Sequence, residues 1–569
     1  MAATFTGGYT GVHGRRDGQY STMRLPHAAC ITTVACLLLA GCAGDGSGAP
    51  PAGGATGAAR GHSVSPAVTA AQVTVAPDAS QTPVPRSFLG ISTEYWALPL
   101  WANEMPLLER ALALVHVRGD GPFILRIGGD SADHSIWDPS AAPMPPWAFT
   151  LAPAWLRQAR ALVRVQATRI ILDLNLITDT PGAAAQWARA AQAALPRHSI
   201  VAFEVGNEPD IYSRADWRAL VAGRRFDARG PAAPSLPHAL TAADYVRDFH
   251  AYSRALGEVA PHVTLAGPAL ANPIHHMPWV GALLDGARRS LGLVTIHRYP
   301  YTGCLGRRGT PSYATLGRVL SPAASTGMAA ALRPLVDAAH DAGVPLRLTE
   351  LNSVNCGGRP GVSDAFATAL WAPDALFALI RAGVDGVNLH VRADAVNAPF
   401  ALGLTGLHAR PLLYGLVLFA RTLGPRARLV ALRSHIPRAL DLGAWAVRVG
   451  RDALHVVLID KGRRSARVAL HLPATGTLHV ERLLAASVRS TTGITLGGRE
   501  IGTDGRWQGL PANQLVVPRH GTYVVNVRSM SAALLSVRVS PGVLGAGPIG
   551  GQPPRGARSA PPTARSRRR

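Results

Sequence analysis

The chain has 569 residues, 47% apolar and only 16% charged, which is enough apolar matter for a large buried core and rules out a wholly disordered chain. No apolar run reaches the roughly 18 residues that a spanning helix needs, which argues against a polytopic membrane protein. The formal charge of +23 comes almost entirely from arginine, since Lys461 is the only lysine; apart from the C-terminal tail the basic residues are not clustered, so no nucleic-acid partner is expected.

In chain order, the first feature is an export signal. Arg24 and His27 precede an apolar stretch, 28–40, that ends Leu39-Ala40-Gly41-Cys42. The ending resembles the bacterial lipobox, so 1–42 reads as a lipoprotein-type signal peptide with Cys42 lipidated; a plain secretory signal is the alternative. Met23 gives a more compact signal than Met1. Residues 43–71 are rich in Gly, Ala, Ser and Pro and read as a flexible linker that lifts the body of the chain off the outer face of a cell membrane. At the other end, 541–569 is rich in Pro, Gly and Arg, holds no acid and reads as a disordered tail. Cys30 and Cys36 fall in the signal, which leaves Cys304 and Cys356 in the exported body. An even pair there suggests a disulfide, with two buried thiols as the alternative.

Between these ends, one unit repeats. Candidate strands are 88–95, 123–129, 169–177, 200–209, 263–270, 293–300, 345–353 and 384–392. Amphipathic stretches separate them at 106–117, 152–165, 183–195, 242–259, 328–342 and 364–382, and another comes after them at 411–423. Several strands lack polar alternation, as strands buried on both faces should. Eight such units predict an α/β fold, a (β/α)8 TIM barrel over 72–424. A doubly wound open sheet is the runner-up, but Gly128-Gly129 is too little for a phosphate turn. After Pro425 the texture changes to short strand-like runs punctuated by Gly, Asp and Pro. Residues 425–540 are therefore expected to form a C-terminal antiparallel β-sandwich, with 72–85 offering it one more strand.

Working residues of such a barrel lie at the C-terminal strand ends. The fourth strand ends Glu204-Val205-Gly206-Asn207-Glu208-Pro209 and the seventh Thr349-Glu350-Leu351-Asn352, which faces two carboxylates across the mouth. A protonated carboxyl that donates to a leaving oxygen, facing an ionised one that attacks the anomeric carbon, is the apparatus of glycosidic cleavage. Proximity should raise one pKa and leave the other low. By strand alternation Glu204 shares the inward face with Glu208 and reads as a deeper partner of other polar groups.

These segments resemble the clan of retaining (β/α)8 glycosidases, and more finely glycoside hydrolase family 79, the β-glucuronidases and heparanase-like enzymes. Leu125-Arg126-Ile127-Gly128-Gly129-Asp130, His297-Arg298-Tyr299, Gly357-Gly358 with Ser363-Asp364-Ala365-Phe366, and the C-terminal 490–507 with Gly521-Thr522-Tyr523 carry the finer likeness. The resemblance implies Glu208 as acid/base and Glu350 as nucleophile. It implies Asn207 on the sugar 2-hydroxyl, Arg126 and Tyr299 on Glu350, and Glu94 and Asp130 on sugar hydroxyls. It also implies the Gly357-Gly358 amides on a uronate carboxylate. Asp130 stands where the pattern often has Thr, and Cys356 precedes the glycine pair. Arg126 could instead only satisfy barrel carboxylates, and His297 could be a core histidine. The expectation is an exo-acting β-glucuronidase on a carbohydrate substrate, without metal or cofactor. A neutral β-glycosidase or a non-catalytic glycan-binding surface lipoprotein are the alternatives, and oligomeric state is not legible.

Overall fold

Strands without a polar face must be covered on both sides, and this constraint organises the computed structural model, which describes residues 69–142, 148–212, 240–304, 306–393 and 395–539. The signal peptide, Cys42, nearly all of the linker and the tail lie outside the described residues.

Eight parallel strands close into a barrel: Leu89–Glu94, Ile124–Gly128, Arg169–Leu174, Ile200–Val205, Thr264–Leu270, Leu291–Arg298, Leu346–Leu351 and Gly386–His390. Each pairs with the next, and the eighth returns to the first through Val387 opposite Leu89. The seventh strand is buried at every position, as are the first, second and eighth. At the closed end Arg347 donates from Nε to Asn388 Oδ1 at 2.6 Å. A Cβ at Gly386 would lie 1.9 Å from Arg347 Nη1, so glycine there makes room for the guanidinium. The fourth and seventh strands are separated by the fifth and sixth, so they flank the mouth rather than stand diametrically opposite. Short helices the periodicity did not single out, such as Ala97–Ala102 and Met277–Ala287, fill connections. Among the described residues no helix is long and apolar enough to cross a membrane.

The C-terminal domain is two sheets around a second core. The smaller has the order Arg433–His435, Thr69–Thr74, Ala466–His471, Thr522–Val527. The larger is built on Leu442–Val449, Ala453–Asp460, Ser531–Arg538 and Leu478–Leu484. Gln81–Pro83 joins the larger sheet and Thr69–Thr74 the smaller, so the segment before the barrel gives a strand to each. Thr69–Thr74 lies parallel to Ala466–His471, which departs from the all-antiparallel expectation; the chain enters this sheet from before the barrel rather than through a hairpin. Ser531–Arg538, a central strand, is absent from the sequence expectation. It is buried on both faces, so its sequence carries no alternation.

The larger sheet has two apolar faces. Val456 and Leu458 point into the sandwich core, whereas Val457 and Ile459 pack with the barrel's core. Helices Ala367–Arg381 and Pro411–Thr422 lie in this seam and are buried nearly all round. A buried polar cluster crosses it. Asp374 Oδ2 accepts from Lys461 Nζ at 2.8 Å and from Ser325 Oγ at 2.7 Å, and its Oδ1 accepts from Trp445 Nε1 at 2.9 Å.

Candidate active site

The barrel's mouth gathers most of the residues singled out in the sequence. Arg126, fully buried on the second strand, is the hub. Its Nη1 donates to Glu350 Oε1 at 2.7 Å, its Nε to Glu204 Oε2 at 2.7 Å, and its Nη2 to Asp173 Oδ2 at 2.7 Å and Asn207 Oδ1 at 3.0 Å. Three carboxylates therefore share one guanidinium, which suits the planar fork of arginine and would not suit lysine. Glu204 is completed by Thr349 Oγ1, which donates to Oε1 at 2.8 Å.

Glu350 has a hydrogen bond on each oxygen, the second from Tyr299 Oη to Oε2 at 2.6 Å. Thr349 and Glu350 are consecutive, yet both reach into the barrel. The ladder to the eighth strand shifts register between Leu348 and Leu351, and this bulge breaks the alternation. Glu208 reaches the mouth differently from the expectation. The fourth strand stops at Val205, so alternation does not carry that far. Glu208 sits beyond it in the left-handed region, at φ 52° and ψ 50°, and that turn aims its side chain. His297 Nδ1 lies 3.0 Å from Glu208 Oε1 and 3.7 Å from Glu350 Oε2. His297 is thus both a fully buried histidine and a contact of Glu208.

Glu208, His297 and Glu350 each present one ligand-type atom, all within 4.8 Å of one another, so the cluster has room for a cation as well as for a reacting atom. No local spacing could have disclosed this, because the residues end three different strands.

The two glutamates are poised in opposite senses. Burial pushes Glu208 above the usual carboxylate range, and the charge of Glu350 adds to that against the pull of His297. Burial alone would also raise Glu350, but His390, His297, Arg126 and the Tyr299 hydroxyl together hold it well below that range. Burial works against charge on His297 and His390, yet the adjoining carboxylates raise both. Asp130 keeps exposed side-chain surface, though many protein atoms surround it. Loss of surrounding water, followed by the charges of Glu94, Glu208 and Glu350, pushes it up to about 7.

Glu94 is buried and its Oε2 accepts the Ser131 amide at 2.9 Å. Asn207 gives its carbonyl oxygen to Arg126, and its Nδ2 makes no hydrogen bond within the described residues. Cys304 and Cys356 are disulfide-bonded with Cα atoms 5.9 Å apart, which joins the loops after the sixth and seventh strands. The glycine pair beyond Cys356 corrects one expectation. Gly358 N–H donates to Asn355 O at 2.9 Å and so is committed to its own turn. Gly358 at φ 92° must be glycine, because a Cβ would fall 2.8 Å from those of Asn397 and Ser363. Only the Gly357 amide is left for a ligand.

Sequence reasoning missed His390 and Asp173. His390 ends the eighth strand, with Nδ1 3.5 Å from Glu350 Oε1 and Nε2 3.6 Å from Glu94 Oε1. The strand-end rule applied to that strand would have found it. Asp173 is one acid inside an apolar strand, a signal that its burial cost alone makes worth reading.

Known proteins resemble this chain in sequence and fold. Residues 444–534 match the family described as glycosyl hydrolase family 79 C-terminal beta domain. A β-glucuronidase of Aspergillus niger is 23% identical over 523 residues, covering 81% of this chain and 92% of the relative. One from Neurospora crassa is 23% identical over 453 residues, covering 70% and 76%. Among solved structures, a 4-O-α-L-rhamnosyl-β-D-glucuronidase from Fusarium oxysporum shares the fold with TM-score 0.65 at 17% identity, over 82% of this chain and all (100%) of that one. An α-L-arabinofuranosidase from Thermotoga maritima does so with TM-score 0.59 at 15% identity, over 83% and 100%.

Proposed function

We propose that this chain is a glycoside hydrolase of family 79, a retaining β-glucuronidase acting on terminal, β-linked glucuronides by double displacement. The observation that carries the mechanism is the facing of Glu208 and Glu350, with one carboxylate oxygen of each within 4.8 Å of the other. Retaining enzymes hold their carboxyls about 5–5.5 Å apart, whereas inverting ones leave roughly 6.5–9.5 Å for a water.

In the first step Glu350 Oε attacks the anomeric carbon and the glycosidic C–O bond breaks. Glu208 gives its proton to the departing oxygen, and a glycosyl ester forms on Glu350. In the second, Glu208, now ionised, takes a proton from water as that water attacks the same carbon, and Glu350 leaves as carboxylate. The opposed pKa shifts supply the starting states, a protonated Glu208 and an ionised Glu350. Arg126 and Tyr299 each leave a lone pair free on the Glu350 oxygen they hold. Asn207 Nδ2 is the group for the 2-hydroxyl, Glu94 and Asp130 accept from the remaining hydroxyls, and the Gly357 amide faces the uronate carboxylate. The disulfide suits export to an oxidising compartment, and a lipid on Cys42 would hold the enzyme at the outer membrane face.

The test pairs a substrate panel with one variant. An aryl β-glucuronide should be hydrolysed and the matching β-glucoside left essentially untouched; equal rates on the two would remove the uronate assignment. In Glu208→Gln the activated aryl leaving group should depart with little loss while an alkyl one fails, and the alkaline limb of the pH profile should vanish. Equal losses on both would overturn the acid/base role.

A further inference from the structure

Asp210 has no part in the scheme above, yet both of its carboxylate oxygens are engaged. Its side chain has no exposed area. Oδ1 accepts the Ala271 amide at 2.8 Å, Oδ2 accepts the Asn272 amide at 2.9 Å, and His276 Nδ1 lies 2.8 Å from Oδ2. All three partners belong to the connection between the fifth barrel strand and helix Met277–Ala287.

The position of these bonds matters. The ladder between the fourth and fifth strands ends at Glu204 opposite Ala266. Past that point Glu208 N–H donates to Ala269 O, on the fifth strand, at 3.1 Å. Glu208 itself is a non-glycine residue in the left-handed region, an unfavourable conformation that persists only where its surroundings enforce it. Asp210, two residues on and in the short helical turn Pro209–Ile211, anchors that turn to the next strand's loop. His297 steadies the Glu208 carboxyl from the sixth strand, but among the described residues no hydrogen bond from that strand reaches the Glu208 backbone.

We propose that Asp210 is a positioning residue for Glu208, clamping the loop after the fourth strand so that the proton donor stands over the leaving oxygen. The inference rests on the reading of Glu208 as acid/base. It separates the two carboxyls, because Glu350 is held by Arg126 and Tyr299 and does not depend on this clamp. Loss of Asp210 therefore misplaces the proton donor and spares the nucleophile.

The experiment compares kcat and KM of the parent, Asp210→Asn, His276→Gln and Glu208→Gln on an activated aryl β-glucuronide and an alkyl β-glucuronide. Asp210→Asn should lose about tenfold or more in kcat on the alkyl substrate, a part of the roughly 10²–10⁴ that general acid catalysis contributes, and less than about threefold on the aryl one. KM should stay near the parent's on both. His276→Gln keeps both amide contacts and should show the same selectivity with a smaller loss. Equal losses on the two substrates in Asp210→Asn, or none on either, would overturn the inference. Should Asp210→Asn melt below the assay temperature, His276→Gln decides, and a flat response there overturns it. If Glu208→Gln is selective and Asp210→Asn is not, only the positioning role falls. If Glu208→Gln is not selective, the acid/base assignment itself falls.

Discussion

Two buried ionic clusters in this molecule are built on opposite plans. At the seam between barrel and β-domain, one cation meets one anion. Lys461 and Asp374 pair at 2.8 Å, and Ser325 and Trp445 fill the remaining acceptor sites of Asp374. At the mouth, Arg126 meets Asp173, Glu204 and Glu350, with Glu94, Glu208 and Asp130 close by. The Asp374 cluster at the seam is balanced, one charge against one. The mouth holds more acid than base, so some carboxyls must keep protons. Burial first, then Glu204, Asp133 and Glu350, raise Asp173 well above its ordinary range even beside Arg126. Burial first, and then the charges of Glu350 and Asp210, push Glu208 above the usual carboxylate range, the direction a general acid requires. A buried pair in balance holds domains together; a buried cluster out of balance stores reactive protonation states.

The contrast can be broken from either side. The largest effect should come from Glu350→Gln. It keeps the side chain's shape and removes the attacking oxygen anion, so kcat should fall by on the order of 10⁴-fold for every leaving group. Unfolding should stay a single cooperative transition in calorimetry; a multi-step melt would mean that the mouth also carries the fold. Asp374→Ala should do the reverse. It strands the Lys461 ammonium in an apolar seam, a loss of about 3–5 kcal/mol in denaturant unfolding. Below its melting point that variant should retain the parent's kcat, and a lost kcat would show the two regions to be coupled. The smallest effect sharpens the account of the mouth. Glu208 acts in its protonated form, and a raised pKa extends activity to higher pH. Asp130 gains its charge around pH 7 and helps to hold that proton on. In Asp130→Asn the alkaline limb of kcat/KM should therefore move to lower pH, by less than about 1 unit. A limb that stays put or moves up would show that the Asp130 charge does not reach Glu208.

The sequence made the barrel legible for a plain reason: strands buried on both faces leave unbroken apolar runs, and amphipathic helices fall between them. Position near strand ends, the Asn207-Glu208-Pro209 triplet, the matching Thr349-Glu350 and the family resemblance then pointed to Glu208 and Glu350. Other features escaped because their partners are distant in sequence. Asp210 meets the loop that carries His276 across 66 residues, and Arg126 meets Glu350 across 224. The bulge that turns both Thr349 and Glu350 inward, and the left-handed turn at Glu208, are backbone events that periodicity cannot express. The commitment of the Gly358 amide to Asn355 belongs to the same class. Ser531–Arg538 was hidden by the very rule that revealed the barrel, since the β-domain sheet it crosses is also apolar on both faces.

The seam cluster also decides how the protein meets amine chemistry. Lys461 is the chain's only lysine, and it is 7% exposed with its ammonium held by Asp374. Every other basic side chain that carries a permanent charge is a guanidinium, which acylating reagents leave alone at neutral pH. The folded molecule therefore presents no side-chain amine for acylation, cross-linking or immobilisation. An acyl group found on Lys461 would record that the β-domain had lifted from the barrel, so a single modified residue would serve as a chemical clock for the opening of the seam.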